Sequence, residues 1–238
     1  MSGVQRAMLE ILYRLDRDRF DPVVLCKEEG DLTAVISAKG ISYQTLPDFV
    51  RSIHPWHDLM AWQELNRFFN AQHFDIVHTH SSKTGILGRL AARKAGVPII
   101  FHTVQGLPFH EFSPTPLKIM YSWAEKKTGS ISNKIIFVNK EERDLAVVTG
   151  LVPHEKAVTI FNGVDLNKVN QMNNDRIRTQ FRRHWGISEN EFIVGYVGRL
   201  WEQKDPETLI RIIELCTSLP VRFLIVGDGP YKKRFDQR

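Results

Sequence analysis

Cysteine is scarce in this chain, 2 residues in 238, and that excludes a disulfide-stapled scaffold. Cys26 and Cys216 lie far apart, each in an apolar run, the setting of two buried reduced thiols and of a reducing cytoplasm. Long hydrophobic runs are also missing, since none approaches the ~18 residues that cross a bilayer. Arg6, Glu10, Arg14 and Asp16 stand where a secretory signal needs apolar side chains. No solenoid-period repeat and no low-complexity segment occurs. Nor does one sign of charge dominate: 32 Lys and Arg face 27 Asp and Glu. The imbalance is local, with 19 against 18 in residues 1–166 and 13 against 9 in residues 167–238. A basic excess of this size suits phosphates, an anionic membrane surface or an ordinary solvated face. Nucleic acid is disfavoured, because these cations are neither interleaved with exposed aromatics nor set on a recognition helix.

What is present is ordinary globular composition, 42% hydrophobic and 25% charged, in a length suited to one large domain or two modest ones. Short β-branched runs alternate with amphipathic stretches, the pattern of parallel βαβ units. Strands are expected at Pro22–Cys26, Ile41–Leu46, Ile76–His80, Val97–His102, Ile135–Val138 and Ala157–Phe161. After a polar stretch around Asn167–Asp175 the pattern restarts with a helix over Arg176–Trp185 and strands Ile193–Val197 and Arg222–Val226. Between those strands Asp205 caps a helix whose first residue is Pro206 and whose buried face carries Leu209, Ile212, Ile213 and Cys216. A helix over Thr84–Ala95, capped by Thr84, keeps Ile86, Leu87, Leu90, Ala91 and Ala95 at 3.6-residue spacing and ends at Gly96 and Pro98. It makes one crossover of a doubly wound sheet, whose ligands bind beyond the carboxyl ends of the strands.

The chain runs from Gly3 straight into a helix with Val4, Met8, Leu9, Ile11, Leu12 and Leu15 apolar. In a doubly wound sheet the first strand lies in the middle, and without it two strands face unpaired backbone groups, each costing on the order of 1–3 kcal/mol. The first strand is therefore expected to be missing and the chain to be a fragment.

Candidate chemistry sits at strand ends. His78 and His80 share one face, and Ser81-Ser82-Lys83-Thr84-Gly85 offers hydroxyls, an ammonium and amide N–H groups to a polar or anionic ligand. The segment from His102 to Glu111 places an imidazole, the Gln105 amide and a carboxylate on a Gly- and Pro-bearing loop. A metal at His102, His110 and Glu111 fits no helical zinc motif. Gly198-Arg199-Leu200 followed by Gln203-Lys204-Asp205 brings a guanidinium and an ammonium to a helix start, where a diphosphate would be held. Val226-Gly227-Asp228-Gly229-Pro230 is half of a dinucleotide fingerprint without its third glycine.

Five segments in this order resemble a retaining glycosyltransferase of family 4 with the two-domain GT-B architecture, of the type that builds bacterial surface polysaccharides. They are Asp75–Ser81 with Gly85 and Gly88; His102–Glu111; Phe161-Asn162-Gly163-Val164-Asp165; Gly198-Arg199-Leu200 with Gln203-Lys204; and Ile225–Pro230. The resemblance implies an α/β fold: a doubly wound acceptor-side domain over residues 1–166 without its first strand, and an incomplete Rossmann-like nucleotide-sugar domain over 167–238. It implies transfer of a sugar from a nucleoside-diphosphate sugar to a carbohydrate or lipid-linked acceptor, with no metal and no other cofactor. Gly3 and Arg6 correspond to the donor-diphosphate loop, His102 to the active-site histidine, and Arg199 and Lys204 to the cations on the leaving diphosphate. His80, Ser81, Lys83, Gln105, Glu111, Asn162 and Gly163 fall on the acceptor side or at the cleft. Gln105 replaces a second histidine found in many relatives, and Asp205 replaces a glycine, which its capping role explains. The paired glutamates of the family lie beyond the Gly-Asp-Gly-Pro motif, so the donor site is expected to be half present. A lipid-linked acceptor at the inner face of the membrane would suit the basic excess. The rival reading is a catalytically dead GT-B-like remnant that serves as a binding module.

Overall fold

A computed structural model describes residues 2–49, 53–106, 114–172 and 174–236. The chain divides into two compact units, Met1–Val164 and Asp165–Arg238.

The first unit alternates helix and strand: α1 (Gly3–Arg14), β1 (Val23–Cys26), α2 (Asp31–Ser37), β2 (Ser42–Thr45), α3 (Pro55–Gln72), β3 (Ile76–His80), α4 (Ser82–Lys94), β4 (Ile99–Val104), α5 (Thr115–Ile131), β5 (Lys134–Phe137), α6 (Lys140–Val148) and β6 (Ala157–Thr159). Every strand pair is parallel, which is why each crossover carries a helix. The strands form two sheets, β1-β2 and β3-β4-β5-β6. Among the described residues no strand pairs between β1 and β3, the place where the expected central strand would lie. β4 is paired on both sides, with His102 opposite Thr79 on β3 and Ile135 on β5.

Helix α1 starts with a capping box, Ser2 Oγ accepting from Gln5 N and Gln5 Oε1 accepting from Ser2 N. Leu9 and Leu12 bury with Val24, Leu32, Ile36 and Ile41, whereas Ile11 faces outward. A second cluster joins Leu46, Leu65, Phe69, Val77, Ala91, Ala92, Val97 and Ile100 under α3 and α4. Helix α4 departs from its expected face. Its buried residues are Gly85, Gly88, Arg89, Ala91 and Ala92, and Leu90 is 41% exposed. Small side chains let the helix approach the sheet more closely than a leucine stripe would, so the side they occupy turns inward. Its cap differs as well: Ser81 is the N-cap, and the Thr84 hydroxyl donates back to the His80 carbonyl.

The second unit holds α7 (Leu166–Met172), α8 (Asp175–His184), β7 (Phe192–Val197), α9 (Pro206–Leu215), β8 (Val221–Val226) and α10 (Lys232–Asp236), with β7 and β8 parallel. The buried Arg182 guanidinium gathers the carbonyls of Ser188, Glu189 and Glu191 and so organises the turn into β7. Asp205 caps α9 as expected, accepting from Thr208 N at 3.2 Å. The core side of α9 is narrower than its spacing suggests: Pro206 and Ile210 are buried and Ile212 is exposed. Both cysteines are free and only half-buried.

Candidate functional site

The carboxyl ends of β3 and β4 and the start of α4 converge on one small cavity. Ser81, Ser82, His102, Gln105, Gly106 and Glu125 supply its polar lining over an apolar floor from β5 and α6. Its space of about 20 Å³ is enough for one water molecule.

His102 is 1% exposed. Its Nδ1 lies 2.9 Å from the Thr79 hydroxyl, which also reaches the Phe101 carbonyl at 3.3 Å. Gly85 makes room for the ring, since a Cβ there would sit 2.5 Å from His102 Cε1. Gly88 does the same for Thr79, with 2.8 Å to its methyl carbon. Burial, then the nearby Arg89 guanidinium and the neighbouring His80 and His78, hold the imidazole well below the usual histidine range. It is therefore neutral at pH 7. His78, whose Nε2 pairs with the Thr103 hydroxyl at 2.7 Å, is pushed down to about 3 by burial and by His80. Burial lowers His80 to about 4. Those two rings face each other at 4.4 Å, as their alternation along the strand requires.

Behind the cavity is a pair that periodicity alone does not reveal. Arg89 is fully buried on α4. Its Nε donates to the Gly85 carbonyl at 2.9 Å and its Nη2 to Glu125 Oε2 of α5 at 2.7 Å. The pair fastens α4 to α5 at the residue that walls in His102. Its only trace in the sequence is an arginine at the same spacing as Gly85, Gly88 and Ala92.

The turn from β3 into α4 is strained. Ser81 sits at φ 64°, ψ 151°, and its side chain makes no capping bond. A non-glycine residue there costs about 1–3 kcal/mol. The opening N–H groups of α4 are thus without a side-chain cap beside the cavity. Lys83, expected to face a ligand, pairs with Asp58 of α3 at 2.5 Å.

The other expected positions are more scattered. Gly3 is the first residue of α1 and Arg6 lies exposed in its first turn. Asn162 and Gly163 lie on an exposed segment after β6. Glu111 and His110 fall outside the described residues. Among the described residues no three His, Cys, Asp or Glu side chains group to hold a metal.

In the second unit, the two glycine motifs fit each other. Gly198 N donates to the Val226 carbonyl at 3.0 Å, and Leu200 N to the Asp228 carbonyl at 2.9 Å. A Cβ at Gly227 would lie 1.9 Å from the Gly198 carbonyl oxygen, and one at Gly229 would lie 2.2 Å from that of Leu200. These glycines serve backbone-to-backbone contact. The clasp leaves Arg199 exposed, and Lys204, at the end of a single 3-10 turn, is exposed too. Among the described residues neither enters an ion pair with an acid. The N-terminus of α9 is already occupied by the Asp205 carboxylate, so the positive end of that helix is partly neutralised.

The family model for Glycosyltransferase Family 4 matches residues 1–168. A UDP-Gal:alpha-D-GlcNAc-diphosphoundecaprenol alpha-1,3-galactosyltransferase of Escherichia coli is 36% identical over 96% of this chain and 59% of its own length. A Staphylococcus aureus capsular polysaccharide biosynthesis glycosyltransferase, CapM, is 23% identical over 79% of this chain and 50% of its own. The chain thus spans between half and three fifths of these relatives. The solved structure of Anabaena HepE with UDP and glucose superposes with a TM-score of 0.74 at 17% identity, covering 98% of this chain and 60% of that one. That likeness shows the fold, the Rossmann-like α/β pattern of GT-B proteins. The chain belongs to Glycosyltransferase Family 4.

Proposed function

We propose that this chain carries the acceptor-side domain and the diphosphate-binding part of the donor side of an enzyme. The enzyme moves a sugar from a nucleoside-diphosphate sugar to an acceptor hydroxyl with retention, in polysaccharide or glycolipid synthesis. The observation that carries the reading is His102: a neutral imidazole, fixed by Thr79 and Gly85 at the wall of a cavity. A neutral ring with Nδ1 engaged offers Nε2 as a hydrogen-bonding partner to a sugar hydroxyl, without placing a second positive charge beside the anomeric centre.

Departure of the diphosphate puts negative charge on the leaving oxygen. Arg199 and Lys204 are exposed cations, free to meet that charge, and they supply what a divalent ion supplies in other transferases. Ser81, Gln105 and the uncapped start of α4 serve the acceptor side. The acceptor is a carbohydrate or lipid-linked hydroxyl; the Escherichia coli relative, by its name, acts on a sugar carried by diphosphoundecaprenol.

Lys204→Ala should lower turnover by about 10²–10³, the loss that follows removal of one charge-stabilising donor. KM for the acceptor should stay within about twofold, because Lys204 serves the leaving group. Unchanged turnover would overturn the assignment. An unmodified protein that binds acceptor but transfers nothing from any nucleotide sugar would favour the binding-module reading.

A further inference from the structure

Which nitrogen of His102 carries the proton follows from the hydrogen-bond count at the Thr79 hydroxyl. A threonine hydroxyl has one proton to give. Thr79 Oγ1 has two partners within reach, the Phe101 carbonyl at 3.3 Å and His102 Nδ1 at 2.9 Å. The carbonyl can only accept, so the hydroxyl gives its proton there and turns a lone pair to the ring. Both bonds then stand only if Nδ1 carries a hydrogen, and in a neutral imidazole that leaves Nε2 bare.

The hydroxyl is held in this orientation from two elements. Threonine is stiff at χ1, because two heavy atoms branch from its Cβ. Its methyl carbon lodges against α4, where a Cβ on Gly88 would lie 2.8 Å from it. The hydroxyl is thereby kept on the β4 side, between Phe101 and His102. Gly85 closes on the same edge of the imidazole: the Cβ it lacks would lie 2.5 Å from Cε1 and 2.9 Å from Nδ1, against 3.4 Å from Nε2. A ring hydrogen bond to the Thr79 backbone also favours a proton on the ring, while burial and the Arg89 cation keep a second one off.

We propose that Thr79 is a positioning residue that holds His102 as the Nδ1–H tautomer, so that Nε2 accepts a hydrogen bond from a substrate hydroxyl. The inference deepens the glycosyl-transfer reading and rests on it for the identity of the substrate. It also narrows that substrate, because the group against Nε2 must bring its own proton, as a sugar hydroxyl does. An ether oxygen, or the carboxylate of a uronic acid, would set lone pair against lone pair there and be rejected.

The test is nuclear magnetic resonance of the full chain with nitrogen-15 in its histidine rings, the His102 signals being identified by their loss in His102→Asn. Long-range proton–nitrogen correlations tell a protonated ring nitrogen from a bare one. At pH 7 His102 should show a protonated Nδ1 and a bare Nε2. Thr79→Val keeps the branched shape and removes the hydroxyl, so the ratio of the Nδ1–H to the Nε2–H form should fall about fivefold to tenfold, the worth of one hydrogen bond. Thr79→Ser keeps the hydroxyl and should keep the parent tautomer. A proton on Nε2 in the unmodified chain would overturn the proposal, whether or not the variants fold. So would an unchanged tautomer in Thr79→Val, or a Thr79→Ser that behaves like Thr79→Val. The measurement needs no sugar transfer: a chain with the expected tautomer that transfers nothing loses the glycosyl-transfer reading alone.

Discussion

Two strand-to-helix turns, one in each unit, solve the same geometric problem in opposite ways. The turn from β3 to α4 and the one from β7 to α9 both place a non-glycine residue with positive φ at the helix N-cap, Ser81 at 64° and Asp205 at 47°. Asp205 uses its carboxylate to cap α9, whereas Ser81 leaves α4 without a side-chain cap beside the cavity. Glycines near the two turns also differ in use. Gly85 and Gly88 make room for side chains, His102 and Thr79; Gly227 and Gly229 make room for another backbone. The first unit therefore buries its neutral chemical groups and holds them rigidly, while the second builds a rigid backbone clasp and leaves its cations outside. Pre-organisation is spent on the imidazole in one and on the loop that presents Arg199 in the other.

The largest expected break in that comparison comes from acid. His78 and His80 are neutral in the folded first unit, at about 3 and about 4, and take up protons near 6.5 once unfolded. Below pH 6.5 the unfolded state binds more protons, so stability is full above that value and falls as pH drops towards 4. The slope is about 1.4 kcal/mol per pH unit for each ring, so His78 and His80 together should cost the first unit about 4 kcal/mol by pH 5, and the buried neutral His102 adds to the loss in the same direction. Amide exchange on β3 and β4 should accelerate over that window. On β7 and β8 it should not respond in this way, because the second unit's single histidine, His184, is exposed. Equal acid sensitivity in the two units would mean that the buried histidines are not what distinguishes them.

Next in size are the glycines. Gly227→Ala drives a methyl carbon to 1.9 Å from a backbone carbonyl that is itself part of the clasp. It should cost the second unit about 3 kcal/mol, the upper end of ordinary overpacking. Gly85→Ala meets a ring, which can tilt if its bond to Thr79 gives way, so about 1–2 kcal/mol is expected. Hydrogen exchange resolves the two units separately. If Gly85→Ala proved as damaging as Gly227→Ala, the His102 ring would be as immovable as a peptide group, and its support from Arg89 and Glu125 stronger than one hydroxyl bond implies.

Much of this was legible in the chain itself. Strand Ile76–His80 has the expected bounds, Asp205 caps as read, and His102 lies near the end of its strand. What escaped the sequence has a common cause. Periodicity counts apolar residues, and α4 buries small ones and an arginine instead, so the spacing places Leu90 inside and does not mark Arg89. Arg89 can be buried because Glu125, 36 residues later, pairs with it, and spacing along one helix cannot show a partner on another. Glu125 itself, in α5, shows no local mark of burial. Ile119, Met120 and Trp123, exposed on α5, would by their pattern be assigned to a core.

The smallest expected effects separate the two N-caps by sign. Ser81→Gly relieves a conformation that side chains rarely adopt and forfeits no capping bond, since none is made. Strain relief of about 1–3 kcal/mol outweighs the roughly 0.4–1 kcal/mol by which glycine frees the unfolded chain, so the first unit should gain about 1 kcal/mol. Asp205→Gly sits in the left-handed region that aspartate tolerates, so little strain is released, while the bonds to the Thr208 amide and hydroxyl are lost. The second unit should lose a few tenths of a kcal/mol. Urea denaturation followed by exchange in each unit reads both changes. Opposite signs would establish that Ser81 holds a strained turn for what it does to the start of α4, whereas Asp205 holds its turn for stability. Two losses would show that Ser81 has a stabilising partner in solution, and the contrast between the turns would then lie in their burial alone.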